Sequence, residues 1–217
     1  MNKRIMFLLT CCALTWSSLA FCGEIQDAAS FGDFDKIKAL LKNNSKLVSD
    51  TNGDTPLFIV SGHSGMTEVV KYLLANGAEV DSTNRDGMTP LAIAALNSRT
   101  DSAKILLANK ANVNAKDNFG NTPLHLAAKA AWGEPKAIGM VELLLTNKAE
   151  VNATNNGGTT PLFVAVQCNN TGLVKILLAN KADINAKDKS GWTPLKYAVI
   201  DGHKELAEFL RNQGGHE

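Results

Sequence analysis

The residues of this chain that could do acid–base, metal or nucleophilic chemistry are scattered rather than gathered. Four histidines, His63, His125, His203 and His216, include no pair at the i, i+4 spacing that lets two imidazoles on one helix face share a metal ion. Cys168 is the only cysteine beyond residue 22, so it has no partner for an internal disulfide or a cysteine metal site, and no recognisable base accompanies it. No glycine-rich segment has the spacing of a phosphate-cradling loop. Asp183, Asp188, Asp201 and Glu205 offer oxygen ligands of the kind calcium takes, but the first two lie in turn-like segments where Asp and Asn hydrogen-bond their own backbone. Neither catalysis nor a metal nor a cofactor is expected, and function is to be sought in a surface.

Composition agrees with a folded chain: 45% of the 217 residues are hydrophobic and 20% charged. The first 22 residues stand apart. Lys3 and Arg4 precede an uncharged, mostly apolar run from Ile5 to Cys22, the layout of a secretory signal peptide. Ser18 and Ala20 supply the small residues for a cut before Phe21, and Ala20 and Cys22 those for a cut before Gly23. The segment Leu19-Ala20-Phe21-Cys22 also resembles a bacterial lipobox, with bulky Phe21 in place of the usual small residue, which leaves lipid anchoring through Cys22 as a minor alternative. An uncleaved anchor is disfavoured, because the run is shorter than the ~20 apolar residues of a spanning helix and is interrupted by Thr15, Ser17 and Ser18. Losing residues 1–22 removes two bases and no carboxylate, so the formal charge goes from +1 to −1 and nothing attracts nucleic acid. The expected location is the periplasm or the medium.

The elements that must carry a binding surface are written in a repeat. Thr-Pro-Leu recurs at Thr55, Thr89, Thr122, Thr160 and Thr193, at intervals of 34, 33, 38 and 33 residues. Thr can accept from the first N–H groups of a helix, and Pro fits the first turn, where its missing donor is no loss; each tripeptide predicts a helix start. A short Ala-rich helix follows, then a second with apolar residues at helical spacing, such as Val69, Val70, Tyr72, Leu73 and Leu74, or Leu173, Val174, Ile176, Leu177 and Leu178. Gly77 suits a left-handed helix end, whereas Lys110, Lys148 and Lys181 at the equivalent positions suit the negative end of the helix dipole. Asx- and Gly-rich linkers such as Asp117-Asn118-Phe119-Gly120 predict tight, projecting, hairpin-like turns.

With these features in hand, the chain resembles the ankyrin repeat. Asn121-Thr122-Pro123-Leu124-His125-Leu126-Ala127-Ala128 carries the strongest signature, and Lys175-Ile176-Leu177-Leu178 with Ala182-Asp183-Ile184-Asn185-Ala186 continues it. The resemblance covers residues 24–217. It implies an all-α repeat solenoid of stacked helix-turn-helix units with β-hairpin-like fingers: an N-terminal capping repeat over 23–52, full repeats over 53–86, 87–119, 120–157 and 158–190, and a C-terminal capping repeat over 191–217. It also makes His125 a structural residue of the repeat and His203 part of a turn.

Two departures mark the pattern. The third full repeat is five residues longer than 33, and the excess falls within 129–139, where Gly133 and Pro135 predict a protruding loop with Trp132 as a possible partner anchor. The first full repeat has one extra residue near Ser61 to Gly65. The resemblance further implies that a protein partner binds the concave face built from finger tips and first-helix ends, which here hold Arg85, Met88, Phe119, Asn121, Lys129, Gln167, Lys189 and Trp192. Of these, Met88, Phe119 and Trp192 could form an apolar anchor cluster, although Trp192 could also pack on its own hairpin. The expected function is a monomeric protein–protein interaction module, scaffold or adaptor; a secreted effector that engages a host protein is the alternative, and an enzyme the remote one.

Overall fold

The computed structural model describes residues 23–49, 54–130 and 136–217. The signal segment, its cleavage sites, Cys22 and Trp132 all lie outside the described residues. Twelve helices and no strand are found among those that are described. They form pairs: α1 (23–31) with α2 (Phe34–Asn43), α3 (Pro56–Ser61) with α4 (Thr67–Ala75), α5 (Pro90–Leu96) with α6 (Thr100–Ala108), α7 (Pro123–Ala130) with α8 (Lys136–Thr146), α9 (Pro161–Gln167) with α10 (Thr171–Ala179), and α11 (Pro194–Ile200) with α12 (Lys204–Asn212).

Every Thr-Pro-Leu starts a helix, as its chemistry requires. The Thr55, Thr89 and Thr193 hydroxyls accept from the N–H of Phe58, Ala92 and Lys196 at 3.2, 3.2 and 3.3 Å. The leucines that follow, Leu57, Leu91, Leu124, Leu162 and Leu195, are all buried. First helices stack in order, α3 on α5, α5 on α7, α7 on α9 and α9 on α11, and α4, α6 and α8 stack as a second layer. Ala94, Ala95, Ala127, Ala128 and Ala165, all fully buried, let the first helices approach closely. Val69, Val70 and Leu73, or Leu173, Val174 and Leu177, fill the space between layers, while Tyr72, Leu74, Ile176 and Leu178 are only partly covered. Each such buried side chain contributes ~1.5–3 kcal/mol before entropy, and it does so only because a neighbouring repeat covers it.

Among the described residues, no finger follows the first pair. A 3-10 turn, Ser45–Ser49, buries Leu47 and Val48 in its place, and Phe34 meets Tyr72 edge-on with ring centroids 5.5 Å apart.

Helix ends differ from the sequence expectation. Lys110, Lys148 and Lys181 do sit at the negative ends of α6, α8 and α10, but their backbones are left-handed, with φ of 67°, 68° and 67°, like Gly77 at 89°. The geometry is a Schellman motif: Lys110 N–H donates to the Leu107 carbonyl and Ala111 N–H to that of Leu106, with the same pattern at Lys148 and Lys181. An L-residue there costs ~1–2 kcal/mol, and glycine returns ~0.5–1 of that as backbone entropy in the unfolded chain. Changing all three lysines to Gly is therefore expected to raise the free energy of unfolding by about 0.5–1 kcal/mol per site, read from an equilibrium urea titration.

The third full repeat also corrects an expectation. Its five extra residues do not all form a loop over 129–139. Lys129 and Ala130 belong to α7 and residues 136–139 to α8, so α7 gains one residue and α8 two over α5 and α6, and only 131–135 connect them. In the first full repeat the extra residue widens the 62–66 connection.

Two hydrogen-bonded ladders hold successive repeats in register. In one, fingers close on themselves, as Asp117 N–H donates to the Asn121 carbonyl, and pair with the next, as Asn156 N–H donates to that of Phe119 at 2.9 Å. A Cβ on Gly120, at φ 78°, would lie 2.7 Å from the Asn156 nitrogen, so the pairing demands glycine there. The other ladder uses Asp81, Asn114, Asn152 and Asn185. Asp81 accepts from Asn112 N–H, Asn114 from Glu150, Asn152 from Asp183 and Asn185 from His216, all at 2.8–3.1 Å.

Candidate protein-binding face

The fingers are stiffened by side chains spent on their own turns. Asn84, Asp117, Asn155 and Asp188 each place Oδ1 on two N–H groups of the following finger, Asp188 on those of Ser190 and Trp192 at 2.8 and 2.9 Å. Asp183 likewise accepts from Asn185 N–H. The carboxylates that could have suggested calcium at these positions thus serve the backbone.

Upon this frame the predicted contact residues fall into two groups. Arg85 and Lys189 are exposed at finger tips, and Phe119 is 64% exposed. Met88 is half-buried beneath its finger. Trp192 is 40% exposed and packs edge-on against Tyr197, centroids 5.4 Å apart; Tyr197 in turn meets Phe163 at 5.6 Å and donates its hydroxyl to Asp188 Oδ2. Burial first, and the Asp188 carboxylate second, push the Tyr197 phenol above its ordinary pKa. Trp192 is therefore both a structural lid on its own hairpin and a partly open ring. Asn121 is not free: its amide donates to Asp117 Oδ2 and accepts from Asn155 Nδ2, which makes it a strut between fingers.

Lys129 and Gln167, at the ends of α7 and α9, are brought together across a groove of about 320 Å³ whose apolar floor is Leu126 and Val164. Cys168 lies on the same rim. Burial raises its pKa, with Lys129 opposing, so the thiol is held protonated and is a poor nucleophile.

Sequence reasoning missed the column that runs through this floor. Ile59, Ile93, Leu126, Val164 and Tyr197 each stand three residues after the Pro, and all but Leu126 are half-buried. Ile200, 53% exposed at the end of α11, was also missed. The signal was present: the column is apolar in every full repeat although its neighbours on the first helix vary.

His125 occupies the floor's edge but is 2% exposed. Its Nδ1 takes the Thr122 N–H at 3.2 Å and lies 2.9 Å from the Thr122 hydroxyl, and Nε2 lies 3.0 Å from the Thr159 carbonyl. A ring that accepts at Nδ1 must carry its proton on Nε2, so the imidazole is neutral and donates to the next repeat. Burial holds its pKa below the ordinary value, outweighing the Thr159 hydrogen bond.

A model of ankyrin repeats in three copies matches this chain over 25–117, 63–155, 109–188 and 130–217. The chain belongs to the ankyrin-repeat family. No curated protein matches it significantly. Ankyrin repeats are in general protein–protein interaction modules and typically non-catalytic, which suits a molecule whose buried His125 and whose Asp117 and Asp188 carboxylates bond its own repeats. Among its described residues, no helix is long and apolar enough to cross a membrane.

Proposed function

We propose that this ankyrin-repeat protein is exported through its first 22 residues and binds another protein in the periplasm or the medium. It acts as a scaffold, adaptor or inhibitor without catalysing a reaction. The observation that carries the reading is the joint placement of Phe119, Trp192 and the half-buried aliphatic column on a face whose fingers are locked by hydrogen bonds before any partner arrives. A preformed face of this kind loses little conformational freedom on association, and aromatic side chains commonly dominate such contacts. With both signs of charge and no basic stripe, the face suits a folded protein surface or peptide rather than nucleic acid.

The test is an affinity capture from envelope and medium fractions with the exported chain as bait, beside the variant Met88→Ala, Phe119→Ala, Trp192→Ala. A stoichiometric partner held by the parent and lost by the triple variant, with circular dichroism unchanged, is the expected result; the loss should be at least ~100-fold in Kd, about 2.8 kcal/mol. Equal capture by both would move the site off this face. Recovery of the protein itself from the medium would favour the secreted effector, and a protein confined to the cytosol would remove the export step.

A further inference from the structure

The groove between α7 and α9, about 320 Å³ in volume, is unevenly charged. Of the residues that line it, Lys129 alone carries a charge, since His125 is neutral and the rest are Asn121, Leu126, Val164, Gln167 and Cys168. Lys129 is exposed at the end of α7 and makes no ion pair among the described residues. Its charge acts inside the groove, where it opposes the burial that raises the Cys168 pKa. The Asp117 carboxylate of the adjoining finger is committed to its own turn: Oδ1 accepts from the N–H groups of Phe119 and Asn121, and Oδ2 from the Asn121 amide.

Other parts of the molecule answer some of their own charges. Lys38 pairs with Asp35, Lys71 with Glu68 and Lys104 with Asp101 along second helices, and Glu217 joins Lys196 to Arg211 at the C-terminal end. None of these pairs touches the groove. Lys189, exposed at the tip of the 188–192 finger, is likewise unpaired among the described residues, and Asp188 beside it is spent on Ser190, Trp192 and Tyr197. The exposed carboxylates of this face, Asp86 and Asp201, stand toward its two ends and do not line the groove. Its middle therefore offers an apolar floor with cations that nothing described in the chain neutralises.

We infer that this groove receives an acidic segment of the partner protein, which lays an aliphatic or aromatic side chain over Leu126 and Val164 and sets neighbouring carboxylates against Lys129 and Lys189. The inference rests on the protein-binding reading above and names the chemistry of the partner. Charge complementarity chooses the occupant: a neutral or basic segment on this floor would cover the Lys129 ammonium without a counter-ion, and an acidic one supplies it. An exposed ion pair is a weak contact, so the apolar side chain provides most of the affinity and the two lysines decide which segments are accepted.

The experiment selects a random-peptide phage library on the immobilised full-length protein. Expected are enriched sequences in which Asp or Glu adjoins a large apolar residue and acids outnumber bases relative to the input library. The leading peptide, resynthesised, should lose about 10-fold or more in affinity for Lys129→Glu and ~3–5-fold for Lys129→Gln, and should weaken as sodium chloride is raised. Replacing its carboxylates by Lys should restore binding to Lys129→Glu and not to the parent, with circular dichroism unchanged in every variant. Acidic peptides that bind Lys129→Glu as tightly as the parent overturn the inference. Enrichment of neutral or basic peptides that are lost by Met88→Ala, Phe119→Ala, Trp192→Ala overturns the acidic class and leaves the face a protein site, whereas no enrichment over that triple variant overturns both. Self-association of the free protein that Lys129→Glu abolishes seats a second copy in the groove and overturns the inference as well.

Discussion

Truncating Leu144 to Ala will lower the free energy of unfolding by about 2–5 kcal/mol and will split a single denaturation transition into two. Leu144 is fully buried in α8, the second helix of the long third repeat, and α8 packs on α7 and α6. Losing its side chain leaves a cavity where the array is covered on both sides and least able to collapse. Repeat arrays hold together through nearest-neighbour interfaces, so a weak central unit uncouples those that flank it. The measurement is urea unfolding of the chain lacking residues 1–22 and carrying Trp132→Phe, followed by far-ultraviolet circular dichroism and by the fluorescence of Trp192, which then reports the C-terminal part alone. Coincident curves for both probes in the variant would show that the array does not divide at this point. Leu40→Ala, in the first helical pair, should instead cost less and leave one transition.

A second large effect is expected at His125. His125→Ala removes a neutral ring that bridges Thr122 to the Thr159 carbonyl of the next repeat, and should cost about 2–3 kcal/mol. The neighbouring repeat shows the consequence of doing without it: Phe163 stands where the imidazole would, and Thr160 Oγ1 is buried with no hydrogen-bond partner. The same substitution should flatten a pH dependence. Burial lowers the pKa of His125 in the folded state below the ordinary value of a histidine. The unfolded chain therefore binds the proton more readily, and stability is complete above the unfolded pKa and declines as pH falls from there toward the folded value. Parent minus variant stability, measured from pH 7.5 down to 5, should shrink on acidification. A constant difference would mean that the ring does not stay neutral in the fold.

Much of the fold could be read from spacing alone. The five Thr-Pro-Leu tripeptides place every first helix from α3 onward because Thr and Pro act locally, within one turn of their own backbone. What escaped depended on information no single segment carries. Lys110, Lys148 and Lys181 look like helix-dipole partners, and a lysine gives no sign that its φ is positive; the equivalence with Gly77 is visible only once the Schellman hydrogen bonds are drawn. The extra residues of the third repeat contain Gly133 and Pro135, which speak for a loop, but the flanking Lys129, Ala130, Lys136 and Ala137 are good helix formers and extend α7 and α8 instead, α8 running on through Gly139.

The candidate face was half legible. Finger tips such as Phe119 follow from turn chemistry, and their exposure with it. Asn121 looked like a free contact because the partners that occupy it, Asp117 and Asn155, lie on two different repeats. The aliphatic column beneath the fingers was hidden by its own consistency: periodicity marks Ile93 or Val164 as apolar helix positions but does not distinguish a side chain sealed in the core from one that floors an open groove.

The rungs from Asp81 to Asn112, Asn114 to Glu150, Asn152 to Asp183 and Asn185 to His216 join points 31, 36, 31 and 31 residues apart in the chain. Contour length thus varies by five residues while the tie itself does not. The turns between helices lie outside this scaffold of ties, so they can lengthen without altering the pitch from one finger to the next. A partner that spans several fingers meets the same spacing whatever has been inserted behind them, and new sequence can be tried at the far edge of the molecule while the ruler on the near edge keeps its marks.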